Sequence, residues 1–225
     1  MANVGFTDRT WNDLTNPVQP GRPNRVALFG GTFNPIHYAH LAVAEQACQA
    51  LNLDRILFMP AGVPPHKTTV ASAADRARMV ELAVAGNEHF GLSRFELERP
   101  GPSYTVNTLR ELTDRMTAEQ VKTELYFLIS TETLADLPTW HEAIAIPPLC
   151  QLIVTSRAGA ARPKDGWLEA NFPGQTERFI FLETMTGAYS SSDVRALIEA
   201  GSTARYLVPP AVYHYIAKHG LYLNA

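Results

Sequence analysis

The chain has 225 residues, 46% of them apolar, with two cysteines and a formal net charge of −3. That length suits one good-sized core, and so small a net charge gives no electrostatic footprint for nucleic acid. Two cysteines make no disulfide framework, no apolar run reaches the length of a membrane span, and no secretory signal precedes the first apolar run, so a cytoplasmic protein is expected.

Residues 1–24 carry three prolines among Asn, Asp and Thr with no periodicity, and read as an irregular leader in which Phe6 and Trp11 are the groups able to pack. Residues 25–225 read as a single domain. Short apolar runs predict strands at 26–29, 54–59, 92–97, 124–129, 151–155 and 178–182. Helical patterns fall near 40–51, 73–86, 105–116, 192–200 and 209–219. Such alternation predicts an α/β fold: a parallel sheet with helices on both faces, and ligands at the carboxyl ends of the strands. The polar segment 157–176, with its glycines and prolines, reads as a mobile loop. Cys48 falls among alanines in the first helix and reads as a small buried hydrophobe.

The first strand runs into Gly30-Gly31-Thr32-Phe33-Asn34-Pro35-Ile36-His37-Tyr38-Ala39-His40. Two glycines and two histidines therefore sit where a strand hands the chain to a helix. Glycine lets backbone approach a phosphate, and a helix N-terminus supplies unpaired N–H groups and a partial positive charge. The stretch has no Lys-Ser/Thr of a Walker loop and no G-x-G-x-x-G spacing. No Cys or carboxylate cluster completes a metal shell around His37 and His40, so no protein-held metal is expected.

After the second strand, Pro60 to Lys67 makes a proline-shaped loop whose Lys67 is a point charge able to reach a triphosphate. The helix holding Asp75-Arg76-Ala77-Arg78 reads as structural. After the third strand, in Pro102-Ser103-Tyr104-Thr105, either Ser103 or Thr105 can cap the next helix. Ser130-Thr131-Glu132 closes the fourth strand, and Leu134 to Trp140 follows. Trp140 by itself reads as core. Beyond the last strand, Tyr189-Ser190-Ser191-Ser192-Asp193-Val194-Arg195 combines capping hydroxyls with a guanidinium suited to bidentate phosphate contact.

Residues 30–40 resemble the G-G-[ST]-F-[DN]-P-x-H-x-G-H signature of the nucleotidylyltransferase superfamily, with Ala39 for its last Gly. Residues 189–195 resemble that superfamily's I-S-S-[ST]-x-I-R signature. The Pro102–Leu109 and Leu134–Trp140 stretches are similar to those of the bacterial nicotinate-nucleotide adenylyltransferases. Ser130 and Glu132 stand where that family carries Gly and Asp.

The resemblance implies a Rossmann-like nucleotidyltransferase fold with a small C-terminal helical part. It implies adenylyl transfer from ATP to nicotinate mononucleotide in NAD synthesis, with Mg²⁺ carried mainly by the ATP phosphates. His37, His40, Lys67 and Arg195 would act on the triphosphate. Gly30, Gly31, Thr32, Phe33, Glu132, Ser191 and Ser192 would complete the ATP site. Asn34, Tyr104, Thr105 and Trp140 would hold the nicotinate nucleotide. Pantetheine phosphate and nicotinamide mononucleotide are alternative acceptors, a nucleotide-binding protein with impaired catalysis is a further reading, and a homo-oligomer is left open. No nucleic-acid or membrane partner is expected.

Overall fold

The computed structural model describes residue 14 and residues 21–64, 70–157 and 163–223; Phe6, Trp11 and Lys67 lie outside them. The strands are β1 (Asn24–Gly31), β2 (Arg55–Pro60), β3 (Phe90–Leu92), β4 (Thr123–Ser130), β5 (Gln151–Arg157) and β6 (Phe179–Thr184). They form one sheet in the order β3-β2-β1-β4-β5-β6. Every neighbouring pair is parallel. The helices are α1 (Tyr38–Ala50), α2 (Ala73–Val84), α3 (Phe95–Glu98), α4 (Thr105–Ala118), α5 (Thr131–Asp136), α6 (Trp167–Asn171), α7 (Ser191–Glu199) and α8 (Pro210–His219).

The period-two geometry of a strand sends successive side chains to opposite faces. Val26, Leu28, Leu125, Phe127, Ile129, Leu152 and Val154 therefore enter one core, with Val106, Leu109, Leu112 and Met116 of α4. Ala27, Tyr126, Leu128 and Ile153 enter the other, with residues of α1, α2, α7 and α8. Both faces of the central strands are dry, so they read as unbroken apolar runs rather than alternating ones. The described part of the leader contributes Leu14, which is fully buried and accepts hydrogen bonds from Asn24 and Thr123. Cys48 and Cys150 are buried free thiols, their pKa values pushed up by burial to about 11 and about 12.

Two sequence expectations change. The predicted strand at 92–97 stops at Leu92, and Phe95–Glu98 is a helical turn. β3 is an edge strand that pairs with β2 alone over three residue pairs. No second neighbour holds the next residues extended, and Arg94 O accepts from the amides of Leu97 and Glu98 instead. The segment 157–176 is not all loop: β5 runs to Arg157, α6 spans Trp167–Asn171, and Phe172 is fully buried in the core. Residues 158–162 lie outside the described part.

α2 contributes an arginine to the interior. Arg76 is 1% exposed and donates to Thr32 O at 2.9 Å and to Gly62 O at 3.3 Å. It thereby ties the loop after β1 to the loop after β2. Burial holds its pKa below the usual arginine value. The C-terminal part closes over the same region, with Tyr215 donating to Asp75 of α2 and Tyr222 donating to Asn34. Arg76→Met keeps the length of the side chain but strands two carbonyls. It should destabilise the protein by about 1–3 kcal/mol, since relief from burying a charge offsets part of the lost hydrogen bonding. Urea unfolding of both proteins checks this, and an unchanged midpoint would show that Arg76 is not a tie.

Candidate active site

The order 3-2-1-4-5-6 reverses direction between β1 and β4, and a crevice opens there beyond the carboxyl ends of the strands. Two cavities occupy it. The larger, of about 780 Å³, is lined by the β1–α1 loop, the start of α5, the ends of β5 and β6, and the start of α7. The smaller, of about 460 Å³, is lined by Met59, Ala61 and Pro64, the Ser103–Thr105 turn, and Thr139 to His141. Gly30, Gly31, Thr32, Thr133 and Asp136 border both, so the cavities meet at a seam over the end of β1.

Gly30 and Gly31 are the last two residues of β1. A Cβ on Gly30 would lie 3.0 Å from the Phe127 ring, and one on Gly31 would lie 3.1 Å from the Phe33 ring. At either position a Cβ would press an aromatic ring at the seam more closely than ordinary van der Waals contact, so the ring would have to give by a few tenths of an ångström. Phe33, 2% exposed, takes a left-handed backbone with φ of 48°, which costs about 1–3 kcal/mol in a residue with a side chain. The neighbours hold that turn in place. Arg195 donates to Asn34 O at 2.8 Å and Ser191 donates to Pro35 O at 2.8 Å. The Asn34 carboxamide oxygen accepts from Tyr222 OH at 2.9 Å and Ala71 N at 3.3 Å.

His37 is the N-cap of α1 and His40 is its third residue. Their rings stack with centroids 3.7 Å apart. The His37 amide donates to Nδ1 of His40 at 3.3 Å. With Nδ1 accepting, a neutral His40 carries its proton on Nε2, where it is a donor. The rings of Phe29 and Phe33 meet His40 edge-on, and Tyr189 lies against His37. His37 and His40 both border the larger cavity.

The N-termini of α1, α5 and α7 converge on that same cavity. Partial positive charge at three helix N-termini makes it a place for anions. Ser190 caps α7 in a reciprocal pair with Asp193, while Ser192 accepts from Arg195 at 3.1 Å. Ser130, where the resembled family has Gly, has a φ of −89° and caps α5 by accepting from Thr133 N. A serine suits that position better than a glycine would. Glu132 is exposed and borders the larger cavity.

The smaller cavity holds the second group of expected residues. Tyr104, Thr105 and Trp140 line it together, and Trp140 is half-buried, so it is at once core edge and cavity wall. Neither Ser103 nor Thr105 caps α4 with its side chain: the N-cap is Tyr104, and the Ser103 hydroxyl accepts from Gly62 N at 3.0 Å instead. The amides of Thr105 and Val106 make no backbone hydrogen bond among the described residues. Asn34 does not reach this cavity; it borders the larger one, with its side chain turned to Tyr222.

Several cavity residues were not anticipated. His141 lies against Tyr104 at 4.5 Å between centroids, Asp136 and Thr133 stand at the seam, and Thr155 and Thr184 close the far end of the larger cavity. The position of Thr155 and Thr184 at the ends of parallel strands was the available signal. Glu96 had none: within the F-E-L-E alternation it reads as the outward face of a strand. It is 4% exposed and borders the smaller cavity, and burial pushes its carboxyl above the usual range against the hydroxyls of Thr108 and Ser103 and the charge of Arg99.

A family model described as cytidylyltransferase-like matches residues 28–197, which span both signatures and the whole seam. A probable nicotinate-nucleotide adenylyltransferase of Synechococcus sp. (strain JA-3-3Ab) is 46% identical over 93% of this chain and 99% of its own. One from Thermus thermophilus is 42% identical over 88% of this chain and 99% of its own. Among solved structures, a Plasmodium falciparum nicotinic acid mononucleotide adenylyltransferase complexed with NaAD superposes with a TM-score of 0.73 at 18% identity, covering 90% of this chain and 98% of that one. By the family match and the length and level of these identities, this chain belongs to the nicotinate-nucleotide adenylyltransferases of the cytidylyltransferase-like family.

Proposed function

We propose that the protein transfers the adenylyl group of ATP to nicotinate mononucleotide, giving deamido-NAD and pyrophosphate in NAD synthesis. The observation that carries this reading is the pair of cavities joined at the Gly30–Thr32 seam. Two nucleotides must meet phosphate to phosphate, and the seam is where ligands in the two cavities would touch. The name shared by the relatives supports the same assignment.

ATP takes the larger cavity, its phosphates against the N-termini of α1 and α7 and its ribose toward Glu132. The 5′-phosphate oxygen of the mononucleotide attacks the α-phosphorus of ATP. One P–O bond forms, the bond to the β-phosphate breaks, and pyrophosphate leaves. No protein nucleophile and no protein proton transfer is needed, so the contribution of the chain is alignment and stabilisation of the charge gathering on the leaving group. His40 donates through Nε2 at the α-phosphate. His37, Arg195 and Lys67 balance the remaining charge; Arg195 does so from a position fixed by Asn34 O and Ser192.

The side chains of α1 and α7 at the larger cavity are imidazoles, hydroxyls and a guanidinium, which suit phosphate better than a hard cation. Among the described residues no group of three His, Cys, Asp or Glu is placed to hold a metal ion. Mg²⁺ would accordingly be held by the ATP phosphates and water, and when bound supplies charge neutralisation on the triphosphate.

In the smaller cavity, Trp140 and Tyr104 give the pyridine ring its apolar faces. The Thr105 amide and hydroxyl are donors for its carboxylate. A carboxylate only accepts, whereas a carboxamide would turn its NH₂ toward one of those donors at a cost of about 1–3 kcal/mol.

Two measurements test this. His40→Ala should lower kcat by roughly 10²–10³ while leaving the melting curve in place, as for loss of one oxyanion donor; near wild-type turnover would remove His40 from the mechanism. In a pyrophosphate-release assay at saturating Mg-ATP, kcat/KM should favour nicotinate mononucleotide over its amide by about tenfold to a few hundredfold, with no turnover of pantetheine phosphate. Equal values for acid and amide would overturn the donor-only pocket, and turnover of pantetheine phosphate alone would reassign the substrate.

A further inference from the structure

Glu96 sits in α3 with its carboxyl turned inward, although its neighbours Phe95 and Leu97 are the residues suited to burial. Thr108 of α4, fully buried, donates to Glu96 Oε1 at 2.8 Å. Arg99 donates to Thr108 Oγ1 at 3.0 Å, and the Ser103 hydroxyl is a second hydrogen-bond partner of the carboxyl. Ser103 is held in turn by its side chain to Gly62 N and by its amide to Val63 O, both at 3.0 Å. Gly62 passes so close to α3 that a Cβ there would lie 2.2 Å from Glu96 O.

Two pieces of chain therefore meet on one carboxyl, the Ser103–Thr105 turn and helix α4, and the loop after β2 joins them through Ser103 and the Glu96 backbone. All three bear on the smaller cavity, and Glu96 does not border the larger one. Burying a carboxyl costs free energy that a well-packed apolar residue would not incur, so a fold that needed only stability would gain nothing from it. What the network does specify is the orientation of the turn that carries the Tyr104 ring and the Thr105 amide.

Resting on the assignment of the smaller cavity to the pyridine nucleotide, we propose that Glu96 is a positioning residue for that half-site, setting the Ser103–Thr105 turn through Thr108 and Ser103. Its removal loosens the second substrate and leaves the first alone. It touches neither phosphate, so it acts on binding rather than on the bond-breaking step.

The test is a set of three variants, Glu96→Ala, Glu96→Gln and Thr108→Val, each measured for kcat, for both KM values and for melting temperature. Glu96→Ala should raise KM for nicotinate mononucleotide by about 10- to 100-fold, with KM for ATP moving by less than about threefold. Thr108→Val should move in the same direction, and Glu96→Gln should recover most of the affinity, because its carboxamide oxygen still accepts from Thr108. A proportionate rise in both KM values, no change in either, or a Glu96→Gln as weak as Glu96→Ala would each overturn the proposal. Should Glu96→Ala fail to fold, the other two variants carry the same comparison. A wrong substrate assignment would show in the wild type alone, as turnover of a different acceptor. The KM split is then read on that acceptor and still decides the role of Glu96.

Discussion

The site depends on one short turn whose carbonyls are gripped from several sides. Arg76 holds Thr32 O, Arg195 holds Asn34 O and Ser191 holds Pro35 O, while Tyr222 and Ala71 N hold the Asn34 side chain. Between them Phe33 keeps a left-handed backbone that a free chain would leave. Its ring can then cover Gly31 and meet the edge of His40. The turn also places His37 as the N-cap that starts α1. Loss of one grip would let the strained residue relax, and with it the alignment of donors on which transfer between two anions rests.

Several residues that border the larger cavity also hold the scaffold. Arg195 supports the β1–α1 loop and borders the larger cavity, and Ser191 ties the start of α7 to that loop. A guanidinium already fixed by two partners loses little freedom when it meets a phosphate, which makes it a better electrostatic partner than a swinging surface side chain. The three helix N-termini add fixed dipoles that need no reorganisation during the reaction.

The second half-site is built on a different principle. No positively charged side chain stands in the Ser103–Thr105 turn, so under the proposed assignment recognition there would rest on backbone amides and aromatic faces. Backbone donors are only as well aimed as the turn that carries them. That is why a buried network around Glu96 can matter to binding through the turn it holds.

The sequence by itself determined the strand–helix alternation, because burial on both faces of a parallel sheet writes continuous apolar runs, and five of the six strands were readable within about two residues at either end. It also determined the glycine–histidine stretch, since a strand-to-helix turn with a helix N-terminus leaves a local pattern. It missed what is made by distance along the chain. The edge strand β3 ends early because it lacks a second neighbour, and Arg76, read as merely structural, turned out to join two loops of the site. Ser103 gave up the expected cap for Gly62 N, and Asn34 turned to Tyr222 near the far end of the chain. Glu96 fell within the run predicted as a strand at 92–97. Only the packing of α3 under α4 turned it inward, because whether a carboxyl meets water or a buried threonine depends on which helix arrives above it, and no local spacing records that.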